Sequence, residues 1–145
     1  MKHLILTAIL LANPVASFAD DFKVGDLVIE HPVARATTAM AMTGAGYFVI
    51  MNNGTEGDRL MEITANFPRV MMHDTKTDDG IAMMFHIEDG VAVPAGGTVT
   101  FEPGSKHVMF MGLNGDPFEI GEEIPATMTF EKAGELDIVF VVEEM

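Results

Sequence analysis

Short apolar runs and turn signals alternate along most of this chain. Asn53-Gly54, Asp79-Gly80, Asp89-Gly90, Gly96-Gly97, Pro103-Gly104, Asn114-Gly115 and Ala133-Gly134 punctuate it. Between them lie runs rich in Val, Ile, Phe, Thr and Met, among them "AGYFVIMNN", "IAMMFHIED", "GTVTFEP", "HVMFMGL", "PATMTFEK" and "LDIVFVV". This spacing predicts an all-β fold, an antiparallel sandwich or barrel of short strands. Some runs alternate strictly: in "GTVTFEP", Val99 and Phe101 face one way, and Thr98, Thr100 and Glu102 the other. No long window carries the 3.6-residue period of an amphipathic helix, and a single helical turn at "NFPRV" is the most the pattern suggests.

The same alternation sorts the histidines and methionines. In "RVMMHDT", Met71 and His73 share a strand face and Met72 points the other way. In "IAMMFHIED", Ala82, Met84 and His86 share one face. Ile81, Met83, Phe85 and Ile87 form the more apolar face and are assigned to the core. In "KHVMFMG", Val108 and Phe110 are the natural core residues. His107, Met109 and Met111 then face away from it, or towards a pocket at its rim. Met71 and Met72 flank His73 as an apolar rim that limits water access, and Met111 is assigned to packing.

The N-terminus departs from this pattern. "MKHLILTAILLANPVASFAD" has a basic Lys2, an apolar run from Leu4 to Leu11 and small residues ending at Ala19. That order predicts a signal peptide over residues 1–19, leaving a single domain over residues 20–145. The apolar run is too short to span a membrane as a helix. An exported, periplasmic protein is the expectation.

A formal net charge of -14 excludes a phosphate-binding stripe, so nucleic acid is not an expected partner. The chain has no cysteine, which removes thiolate nucleophiles, thiolate zinc sites and blue-copper thiolate ligation. No nucleophile motif or phosphate-cradling glycine loop argues for an enzyme. Methionine, in contrast, is abundant at thirteen residues. A lone methionine is ordinarily a gap-filler and a lone histidine a surface or satisfied group. Here two histidines each carry methionines at strand spacing. Thioether and imidazole without thiolate suit a soft ion, and copper(I) outside the cytoplasm fits best. Zinc prefers cysteine, histidine or carboxylate, and calcium and magnesium require oxygen. "HDTKTDDG" lacks the spacing of a calcium loop, and Asp79-Gly80 reads as a hairpin turn.

"MMHDTKTDDGIAMMFHIEDGVAVPAGGTVTFEPGSKHVMFMGL" resembles the signature region of the periplasmic PCu(A)C copper chaperones. In that family a His, a Met and a His-x-Met pair bind one copper(I). The matching order here is His73, ten residues, Met84, twenty-two residues, then His107-Val108-Met109. "VPAGGTVTFEPGS" and "MGL" flank the second histidine as in the family. "YFVIMNNGTEGDRLMEI" resembles its first core strands and an Asp58-Arg59-Leu60 turn. The likeness runs from Val28 to Val142.

The resemblance implies a cupredoxin-like Greek-key antiparallel β-sandwich that is not an enzyme. It implies a copper(I) site made by His73, Met84, His107 and Met109, and delivery to the dinuclear copper centre of cytochrome c oxidase. A thioredoxin-like copper protein is a further partner on that reading. Alternatives are copper storage or buffering, supply to a different copper enzyme, and an interaction sandwich that binds no metal. Affinity is expected to weaken as pH falls through roughly 6.5, the ordinary imidazole value, because each proton competes with the metal. "EHPVARAT" departs from the family's usual proline-aromatic pair and leaves His31 as an extra histidine. Met40, Met42 and His86 lie outside the signature as well, with His86 facing the same way as Met84. The chain ends at "VVEEM" without the His/Met-rich tail of some relatives, so a second site of that kind is not carried over.

Overall fold

The computed structural model describes residues 21–145; the expected signal peptide over residues 1–19 lies outside them. Eleven strands follow in chain order: β1 (Phe22–Val24), β2 (Leu27–Arg35), β3 (Thr43–Asn52), β4 (Asp58–Ala65), β5 (Arg69–Asp78), β6 (Ile81–His86), β7 (Val91–Val93), β8 (Thr98–Phe101), β9 (His107–Met111), β10 (Glu123–Phe130) and β11 (Gly134–Glu143). No helix occurs among the described residues. The six runs quoted above fall largely in β3, β6, β8, β9, β10 and β11. "NFPRV" forms a bend rather than a helical turn, and β5 begins at its arginine. Asp58-Arg59-Leu60, expected at a turn, instead opens β4. The Asp58 carboxylate accepts the backbone N–H groups of Lys132 and Ala133, each at 2.9 Å, and so ties β4 to the β10–β11 turn.

The strands run in the order β6-β5-β9-β3-β2-β11-β10-β4-β7, with β1 added on β2 and β8 on β3. Every pairing is antiparallel except one: β11 runs parallel to β2, with Val141 opposite Val33. The sequence reading expected antiparallel pairing throughout. The exception arises at an irregularity in β2 between Glu30 and Val33, where His31 has a φ of 48°. The segment before it pairs with β1 and the segment after it with β11, while β3 pairs with both.

Side chains from both layers meet in one core. Phe110 on β9 and Phe140 on β11 are fully buried, their rings edge to face with centroids 5.4 Å apart. Val108 and Phe110 lie inside, as their alternation predicts, and Phe101 stacks on Phe48 at 4.3 Å. Gly44 is required where β3 passes this core, since a Cβ there would collide with the Phe118 ring.

The assignment of Ile81, Met83 and Phe85 to the core is not met. Ile81 is 65% exposed, Met83 60% and Phe85 39%; Ile87, past the end of the strand, does pack on the core. β6 is the last strand in the order and pairs with β5 alone, and both of its faces are open to solvent. Met72, read as rim, is instead buried in the core.

Candidate metal site

Three neighbouring strands at one end of the sheet position the candidate donors. Asp79-Gly80 closes the β5–β6 hairpin with φ values of 49° and 77°, both in the left-handed region that a two-residue type I′ turn needs. That turn sets the register His73↔His86 and Thr75↔Met84. On the other side of β5, β9 pairs with His73↔His107 and Met71↔Met109. Residues directly opposite one another project to the same face of a sheet. His86, His73 and His107 therefore form a row across three strands. The Met71–Met109 pair lies on one side of that row and the Thr75–Met84 pair on the other. Met111, opposite Arg69, continues the same face.

The structure brings His73 and His107 together. Their ring centroids are 5.6 Å apart with planes at 79°, and both residues are buried. Met109 follows His107 two positions along the same face and is half-buried. Met84 shares the face but sits on the exposed hairpin, 56% open to solvent, opposite Thr75 in the ladder. Of the methionines outside the family signature, Met40 and Met42 are exposed on the loop before β3, where the Met42 carbonyl accepts Gly112 N–H at 3.0 Å. His31 lies away from this face, 3.6 Å from the Glu143 carboxylate.

The two buried imidazoles differ in their partners. His107 Nδ1 lies 3.1 Å from the Ser105 carbonyl, which can only accept. The neutral ring is therefore protonated at Nδ1 and has its lone pair on Nε2, the arrangement a metal-ligating histidine needs. His73 Nδ1 is buried without a hydrogen-bond partner. Burial, followed by the neighbouring His107, His86 and Arg69 charges, holds the His73 imidazole below its ordinary pKa and so keeps it neutral. An ion pair between Lys106 Nζ and Asp74 Oδ2, 3.5 Å apart, links β9 to β5 directly beside the histidines. The Ser105 carbonyl and the Lys106–Asp74 link were not legible in the sequence. A main-chain carbonyl leaves no residue-type signal, and the ion pair depends on register.

Among the described residues, no group of three or more His, Cys, Asp or Glu is gathered as a metal cage. Thioethers on the same face are the side chains available to complete a donor set around the histidine pair. Two neutral imidazoles with flanking methionines form such a set, and it suits a soft monovalent cation.

Comparison with known proteins places this geometry. Residues 27–142 match the family model described as "Putative lipoprotein LpqE-like". The chain belongs to the LpqE-like family. A relative from Leifsonia xyli subsp. xyli, "Putative lipoprotein Lxx21020", is 32% identical over 75 residues, which cover 52% of this chain and 45% of that one. The chain thus matches less than half of that relative's length. Among solved structures, the copper-bound PCuAC domain from PmoF2 aligns with a TM-score of 0.69 and 29% identity over 87% of this chain and 99% of that domain. The apo PCuAC domain from PmoF1 aligns at 0.73 and 28%, over 87% and 100%. The copper(I) form of DR1885 from Deinococcus radiodurans shares the fold at 23% identity and a TM-score of 0.64, over 87% of this chain and 82% of that one. The LpqE-like chain thus has the cupredoxin-like β-sandwich of PCuAC domains.

Proposed function

We propose that this chain is an extracytoplasmic copper(I) carrier. It would bind one ion through His73, Met84, His107 and Met109 and pass it to a copper enzyme, the dinuclear centre of cytochrome c oxidase being the preferred recipient. A thioredoxin-like copper protein is the second partner on this reading, and the periplasm the compartment. The observation that supports it best is the buried pair of imidazoles. One has an unpartnered nitrogen and the other is oriented by a backbone carbonyl, and both share a face with the methionines. A buried polar atom left unpaired costs roughly 1–3 kcal/mol, so its persistence is best explained by a ligand that satisfies it. The copper-bound state of the PmoF2 domain and the lipoprotein description of the family support the reading.

The roles divide by exposure. His73 and His107 supply fixed nitrogen donors on β5 and β9. Met109 supplies a half-buried sulfur beside them. Met84, on the exposed hairpin, supplies the sulfur that moves, closing over the ion when it binds and opening when a recipient offers stronger donors. Methionine's unbranched side chain suits that motion. Four neutral donors leave the ion's own single charge on the site, and the absence of thiolates keeps it open to exchange without disulfide formation.

The test is an anaerobic copper(I) titration against a strong chelator. Wild type is compared with His73→Ala, Met84→Ala, His107→Ala and Met109→Ala. The expected result is one equivalent bound by wild type and a marked loss in each variant; unchanged binding in all four would remove the site. Mixing the loaded protein with a soluble copper-free oxidase domain then separates transfer from storage, since a storage protein would retain the ion.

A further inference from the structure

The two ends of the strand order differ. β7, at one end, is three residues long, and a very short edge strand discourages pairing with other chains. β6, at the other end, runs over six residues, all of them exposed. It contains no lysine, carboxylate or proline, and its register with β5 has no bulge, so the usual guards of a sheet edge are missing from it. Its outer main chain is unpaired. Past the strand, Ile87 N–H donates to the Met72 carbonyl of β5 at 2.9 Å. Such bonds fall on alternate residues of an antiparallel ladder, so Ile81, Met83 and Phe85 also turn their main-chain groups towards β5. Ala82, Met84 and His86 turn theirs outward, where no further strand follows. The exposed Ile81, Met83 and Phe85 side chains make an apolar row along the same edge.

Charge decides what can lie there. Asp78 and Asp79 are exposed at the hairpin end of β6, and Glu88 and Asp89 just beyond its other end. None of these four carboxylates is in an ion pair among the described residues. The nearby cations are otherwise engaged: Lys76 lies over the Phe85 ring and Lys106 pairs with Asp74. A second copy pairing antiparallel along β6 would set the Asp78-Asp79 end of one chain beside the Glu88-Asp89 end of the other. It would also join two chains of formal charge -14. Like charges at both ends oppose that pairing. An apolar segment with lysines or arginines at both ends meets opposite charge at both instead.

We propose that β6 is a docking edge for an extended segment of another protein, apolar at alternate positions and basic at both ends, which joins the sheet as a further strand. Main-chain bonds to Ala82, Met84 and His86 supply affinity, the Ile81–Met83–Phe85 row selects apolar side chains, and the acidic ends select the basic flanks. Docking of this kind needs no bound metal and is independent of the copper(I) reading.

The probe is a fluorescein-labelled peptide, Lys-Lys-Val-Thr-Val-Thr-Val-Lys-Lys, titrated with the metal-free full chain and read by fluorescence anisotropy. Wild type is expected to bind it with a Kd below about 1 mM, and more weakly as salt is added. Ala82→Pro removes an outward N–H and leaves the ladder to β5 intact, so it should weaken binding at least about tenfold, and Met83→Lys should do the same. Ile120→Lys, which alters an exposed apolar residue elsewhere, should match wild type. Two further peptides are tested on wild type, so that the result stands even if a variant unsettles the hairpin. One has glutamates in place of the lysines; the other is N-methylated on its ladder-forming residues. Neither is expected to bind. Absence of binding by wild type up to about 1 mM would overturn the proposal. So would equal binding of either altered peptide, or unchanged binding by Ala82→Pro. Sedimentation velocity supplies the remaining outcome: a wild-type dimer that Ala82→Pro turns into a monomer would assign the edge to a second copy and reject the basic partner.

Discussion

On the carrier reading, His73 sets stability against function in one side chain. Its Nδ1 is buried with no partner, a state that costs free energy in the metal-free protein. Replacing the whole ring with an apolar group removes that cost. His73→Leu is therefore expected to leave the metal-free melting temperature unchanged or slightly raised, measured by circular dichroism, while abolishing copper(I) binding. The imidazole also makes stability depend on pH. Its folded pKa is lowered by burial and then by His107, His86 and Arg69, below the roughly 6.5 of an unfolded chain. Above that value both states are neutral and the fold has its full stability. As pH falls, the unfolded chain takes the proton first, so stability is lost from about 6.5 down through the lower folded value. Melting scans of the metal-free protein from pH 7 to pH 5 should show that loss, and His73→Leu should reduce it. The lowered pKa also delays proton competition for copper at His73 to more acidic pH than an exposed histidine would show.

At the scale of the element, the β5–β6 hairpin is where sequence reading succeeded and where it stopped. Asp79-Gly80 marked the turn, and alternation correctly put Met84 and His86 on one face and Ile81, Met83 and Phe85 on the other. Alternation says which residues share a face, not whether another layer covers that face. Phe85 has a lysine where a core neighbour was expected, with Lys76 Nζ 4.8 Å from its ring centre. Likewise the His86–His73–His107 row was not legible, because it depends on the register of strands far apart in the chain. The parallel pairing of β11 with β2 was hidden for the same reason. His107 and Met109 could be read more fully, since one strand carries both along with the buried Val108 and Phe110. The hairpin makes its own prediction. Gly80→Ala forces a Cβ into the left-handed region, at a cost of about 1–2 kcal/mol, although nothing crowds the position. That cost should fall on the hairpin alone. Hydrogen exchange should quicken in β6 and leave β10 and β11 unchanged, and copper(I) affinity should drop through Met84.

For the whole molecule, a formal charge of -14 is concentrated in a small acidic chain with few ion pairs among the described residues to offset it. Self-repulsion destabilises such a fold and is screened by salt. The melting temperature should rise between about 0.02 and 0.5 M sodium chloride. A molecule with compensated charges would show no such rise. The same field attracts cations and basic partners, so copper transfer to a basic recipient domain should slow as ionic strength rises, measured by stopped-flow.

The place of β6 at the end of the strand order has one further consequence. A single ladder holds it, so it can peel away in a partial opening that leaves the aromatic interior intact. On the carrier reading, an ion clasped by that strand would leave on the timescale of this local fraying, orders of magnitude sooner than denaturation would permit, and the emptied molecule would be ready to reload.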